Sequence, residues 1–76
     1  MNRILIRHDE SISEQEALRC VCSAWMNSPW RTGAVVFRNE IILEYSDRAK
    51  YTSVTLTRKK QDNGLKANMT IIDERK

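Results

Sequence analysis

Arg58, Lys59, Lys60 and Lys66 form the densest group of side chains in this chain that could act on a ligand. The chemistry open to them is phosphate binding, in which lysine and arginine displace counterions along a nucleic-acid backbone. Thr55, Thr57, Asn68 and Thr70 lie near them in sequence and could approach sugars and phosphates with hydroxyls and an amide. Missing is the row of exposed rings on which single strands usually stack, since Phe37 and Tyr45 read as core and leave only Tyr51. The plainer account of the lysines is a solvated edge that resists aggregation.

A second group is Trp30-Arg31, next to Pro29. Tryptophan and arginine dominate many protein interfaces, although a loop tryptophan in so short a chain also serves to cap the end of a core.

Support for catalysis is thin. His8 is the single histidine, and two glycines cannot build a phosphate cradle of successive glycines. A small ribonuclease assembled from His8, Glu44, Arg58 and Lys60 ranks third among the functional readings, because the sequence sets no geometry among them. His8 itself reads as a surface turn residue. Cys20 and Cys22 stand two apart on a predicted helix and diverge, so they read as free thiols, Cys22 in the core and Cys20 at its margin. No metal-ligand spacing and no cofactor motif is present, and the expectation is a protein that is not an enzyme.

The elements that must position these groups follow from size and periodicity. The 76 residues suit a single small domain over 1–76, with 41% apolar and 30% charged residues and a net charge of +3. No apolar run approaches a membrane span, and the apolar stretch after Met1 is too short for a signal peptide, so the cytoplasm is the expected location. Asp9, Glu10, Glu14 and Glu16 gather at one predicted end, with Arg48, Lys50, Arg58, Lys59, Lys60 and Lys66 at the other.

Arg3 to Arg7 reads as a strand with Ile4 and Ile6 on one face and Leu5 on the other. Ser13-Glu14-Gln15-Glu16 matches a capping box, with a helix beginning at Glu14 and ending near Asn27 ahead of Pro29. Leu18, Val21, Cys22 and Trp25 form its apolar stripe. Two further strands, 34–38 and 41–45, flank Asn39-Glu40. A loop that includes Arg38 aligns Phe37 with Ile41 and Val35 with Leu43, which sends Val35, Phe37, Ile41, Leu43 and Tyr45 toward the helix; a two-residue loop changes these partners. Period-two alternation from Tyr51 to Asp73 reads as a long hairpin with a loop at Gln61 to Gly64, pairing Leu56 with Met69 and Val54 with Ile71.

The expected fold is therefore α+β in the order β-α-β-β-β-β, one helix on one face of a mostly antiparallel sheet of four to five strands. One helix covers one sheet face, which leaves Leu5, Val36, Ile42 and Ile72 on the other. The leading functional expectation is a non-enzymatic protein-binding module that modulates a larger macromolecule, or self-associates, through Trp30, Arg31, Val36 and Ile42. The alternative is an RNA- or DNA-binding module that uses Arg58, Lys59, Lys60 and Lys66.

Overall fold

The computed structural model describes residues 2–60 and 65–74. Strand β1 (Asn2–His8) leads into helix α1 (Glu14–Val21), which continues as a π-helical turn over Cys22–Met26. The hairpin β2 (Arg31–Phe37) and β3 (Glu40–Tyr45) follows, then helix α2 (Arg48–Lys60) and strand β4 (Met69–Glu74). The sheet order is β2-β3-β1-β4 with every neighbouring pair antiparallel. The α+β class holds, and the topology is the split β-α-β arrangement of ferredoxin-like folds.

Local signals account for α1. The Ser13 hydroxyl accepts a hydrogen bond from the Glu16 amide at 3.2 Å, and Ile12 and Ala17 on either side of the cap are buried. The Glu16 carboxylate does not close the box; it pairs with Lys66. Val21 and Trp25 enter the core as the apolar stripe requires, and Cys20 is half-buried at the core's margin as expected, but Cys22, expected in the core, opens the π turn and is exposed.

Two residues of the hairpin donate to carbonyls at the end of the π turn. Tyr45 donates its hydroxyl to the Trp25 carbonyl at 3.1 Å, and Arg31 donates its Nε to the Met26 carbonyl. Arg31 and Tyr45 face each other across β2 and β3, so a single cross-strand pair closes the end of α1.

The largest correction concerns Tyr51 to Thr57, expected as a strand and found inside α2. Asp47 caps this helix, its carboxylate accepting from the amides of Ala49 at 2.9 Å and Lys50 at 3.3 Å. Tyr51 and Thr55, one turn apart, are buried, and Val54 packs beside them. Leu56, assigned to the core as a partner of Met69, points away and is 52% exposed. The return arm of the expected hairpin exists as β4, but it pairs with β1, placing Ile6 opposite Ile71 and Leu5 opposite Ile72. The loop expected at Gln61 to Gly64 lies outside the described residues.

Both helices pack on the same side of the sheet. One cluster joins Ile4, Ile6, Ile41 and Leu43 to Val21 and Trp25 of the α1 segment and to Tyr51 of α2. The Tyr45 and Tyr51 rings, 6.0 Å between centroids, hold α2 to β3. Each β-α-β crossover spans one intervening strand, and two such crossovers of the same hand, right-handed by the general rule, put both helices on one face.

Stability measurements separate the observed helix from the expected strand. Leu56→Ala should stay within about 0.5 kcal/mol of the parent, while Leu43→Ala should cost about 2–5 kcal/mol. Ser53→Pro should cost about 3 kcal/mol or more by breaking α2. Urea denaturation of the three variants provides the comparison, and a large loss at Leu56 would contradict the helix.

Candidate functional site

The sheet face away from the helices is built by strand alternation. On β1, Ile4 and Ile6 point into the core, so Arg3, Leu5 and Arg7 take the other side. On β3, Ile41, Leu43 and Tyr45 are buried, which turns Glu40, Ile42 and Glu44 outward. Leu5 is buried yet lies outside the helix-side core, under its neighbours on the opposite face.

Register then arranges these side chains in rows. Val35 stands opposite Ile42, Ile42 opposite Leu5, and Leu5 opposite Ile72, an apolar row that crosses all four strands. Arg7 faces Glu40 on one side of it and Arg3 faces Glu44 on the other. The Arg7 guanidinium reaches the Glu40 carboxylate at 2.9 Å, with both side chains partly open to water. Gly33, at a bulge in β2, leaves room for the Glu44 side chain; a Cβ there would lie 3.1 Å from Glu44 Oε1. Val35 at 49% and Phe37 at 60% exposure extend the apolar surface toward the β2 edge, where the Arg38 guanidinium lies 5.3 Å from the Phe37 ring centre.

Of the residues expected to bind a partner, Ile42 is on this face, whereas Val36 is not. The β2–β3 turn has two residues, Arg38 and Asn39, with Arg38 in the left-handed region at φ 53°. Val36 therefore pairs with Ile41 and packs on the helix-side core, and Val35 and Phe37, expected inside, come out. This one-residue difference is the main functional feature that sequence reasoning missed. The preference of hairpins for two-residue turns was the signal that could have found it.

Trp30 and Arg31 sit apart from the open face, at the end of α1. Arg31 is occupied with the Met26 carbonyl, while Trp30, 38% exposed, carries the Lys50 ammonium 4.8 Å from its ring centre. Trp30 and Arg58 border an open pocket of about 300 Å³ between the π turn and α2, together with Asn27, Ser53 and Thr57.

The four cations expected to hold phosphates are dispersed in role. Arg58, Lys59 and Lys60 form the last turn of α2, where the helix dipole favours positive charge, and Lys66 pairs with Glu16. His8, expected at the surface, is buried; its Nδ1 donates to the Asp9 carbonyl at 3.1 Å, and Nε2 has no hydrogen-bond partner among the described residues. His8 and Glu44 lie on opposite sides of the sheet, so the ribonuclease set is not assembled. Among the described residues there is no cluster of metal-ligating side chains, and no helix is long and apolar enough to cross a membrane.

The turn after β1 is tied to the start of β4 by Asp9, whose carboxylate accepts from the Ser11 amide at 2.9 Å, the Ser11 hydroxyl and Asn68 Nδ2 at 3.1 Å. The Ser11 hydrogen bonds are the main reason its carboxyl is held below the ordinary value of 3.8, and the Lys66 ion pair likewise holds Glu16 below 4.5. Lys66 is raised above 10.5 by the same pairing with Glu16. The carboxylates thus stabilise the fold at pH above their ordinary values and lose that contribution as pH falls through their lowered ones. The lysine contributes below pH 10.5 and loses its contribution as pH rises through its raised value. In urea denaturation over a pH series, Glu16→Gln should diminish both the acid and the alkaline dependence, and Asp9→Asn only the acid one.

Comparison with protein-family models, curated proteins and solved structures gave no match for this chain.

Proposed function

We propose that this chain is a protein-binding module that acts through the open face of its sheet and catalyses no reaction. The observation that carries the reading is the apolar row Val35-Ile42-Leu5-Ile72, which runs across four strands with neither helix over it. A contiguous apolar strip with a charged rim is the usual composition of a protein interface, because the centre gains from leaving water while the rim directs approach. Arg3, Arg7, Glu40 and Glu44 provide that rim. The fold itself adds nothing to this reading, since one architecture serves many functions.

Nucleic-acid binding remains the second reading, moved from the sheet to α2. That helix carries Arg48, Lys50, Arg58, Lys59 and Lys60 and no acidic residue. The open face is a poor platform for bases, because Glu40 and Glu44 would repel phosphates and its centre is aliphatic.

Ile42→Asp tests the first reading, since it places a charge in the middle of the row without touching the helix-side core. The far-UV circular dichroism should be unchanged while protein capture or self-association is abolished, because the interface would bury an unpaired carboxylate. Retained association by the folded variant would rule out this face. For the second reading, neutralising Arg58, Lys59, Lys60 and Lys66 should flatten the salt dependence of RNA or DNA binding by about one unit of slope for each phosphate no longer neutralised. An unchanged slope would remove these cations from consideration.

A further inference from the structure

The two central strands of the open face carry opposite charge. On β1 the outward charged residues are Arg3 and Arg7, and on β3 they are Glu44 and Glu40, with Leu5 and Ile42 between them. A cationic column thus lies beside an anionic one, each interrupted by an aliphatic residue at the same level. From this pattern we propose that the partner of the open face is a second copy of this chain, stacked face to face about a two-fold axis parallel to the strands. The proposal rests on the protein-binding reading above and names its partner.

Symmetry decides the orientation. A two-fold axis running along the strands between β1 and β3 lays β1 of one copy over β3 of the other and keeps each row at its own level. Arg3 then meets Glu44 of the second copy, Arg7 meets Glu40, and Leu5 meets Ile42, each pairing occurring twice. The same operation brings β2 over β4, so the exposed Val35 lies against Ile72 and the exposed Phe37 against Thr70. An in-plane axis across the strands would lay each strand over itself, setting Arg3 on Arg7 and Glu44 on Glu40. Like charges brought together at an interface are costly, so the charge pattern permits one stacking and opposes the other. The modest twist between packed sheets shifts these pairings without exchanging the columns.

The area of the face points to a weak, transient dimer. Four strands at about 4.8 Å spacing and about six residues at 3.3 Å each give a face of roughly 20 by 20 Å. That is roughly 400 Å² on each copy and roughly 800 Å² for the pair, below the about 1,200 Å² at which stable interfaces begin, so association should be weak and depend on concentration. Each Glu40 already accepts from Arg7 of its own chain, and stacking would give it a second guanidinium and so a four-membered charge network.

Sedimentation equilibrium of the full chain over a range of concentrations tests the proposal. The native chain should move from the mass of one chain toward that of two. Arg7→Glu and Glu40→Arg should each weaken dimerisation about tenfold or more, while circular dichroism stays native. An equimolar mixture of the two variants should recover the dimer, because the introduced acid of one chain faces the introduced base of the other. Rescue between chains cannot come from repair within one chain. A native chain that stays monomeric up to its solubility limit overturns the proposal, as does a mixture that fails to recover the dimer. Tighter self-association of Arg7→Glu alone also overturns it, since that outcome belongs to the axis across the strands. If the native chain is monomeric yet Ile42→Asp abolishes capture of another protein, the second copy is excluded and the protein-binding reading stands.

Discussion

The position of β1 at the centre of the sheet, paired on both edges, is the constraint on which the rest of the structure depends. Its backbone groups are satisfied by β3 on one side and β4 on the other, and its alternation serves two surfaces at once. Ile4 and Ile6 anchor the core beneath both helices, while Arg3, Leu5 and Arg7 form the middle of the opposite face. A register slip of one residue along β1 would send arginines into the core and isoleucines into water, so the packing of the core enforces the layout of the candidate interface.

So small a chain can cover only one side of its sheet. The two helices bring Val21, Trp25 and Tyr51 together over Ile4, Ile6, Ile41 and Leu43, and little apolar material remains for a second layer. The open face manages its exposure with long charged side chains: Leu5 is buried beneath its neighbours, and Arg7 and Glu40 pair beside it. At the β2 edge this cover thins, and Val35 and Phe37 remain exposed.

The end of α1 shows a related economy. The carbonyls that end the π turn are satisfied from beyond it: the Trp25 carbonyl accepts from the Ser28 amide and the Tyr45 hydroxyl, and the Met26 carbonyl accepts from Arg31. Burial is the main reason the Tyr45 hydroxyl is held above its ordinary value of 10.0, partly offset by the charges of Arg31 and Arg58, and it remains a donor at neutral pH. An arginine that looks like an interface residue from its type thus serves the fold, leaving Trp30, with Lys50 over its ring, as the exposed member of that loop.

Much of this was legible in the chain itself. The cap at Ser13, the burial of Trp25, the strand over residues 3–7 and the existence of an uncovered sheet face with Leu5, Ile42 and Ile72 follow from local hydrogen bonding and from period-two alternation, which operate without distant partners. Two matters did not. The stretch from Tyr51 to Arg58 satisfies the strand period through Val54 and Leu56 alternating with Ser53, Thr55 and Thr57, and the helix period through Tyr51, Val54, Thr55 and Arg58. With β3 and β4 both taken up by β1, packing over the sheet favoured the helix, which also has the Asp47 cap and a basic last turn. The choice between Val35 and Val36 on the open face depended on one residue of turn length, and both valines suit a strand equally. Only the pairing of Ile41 with Val36 over the packed helices decided which of them faces water.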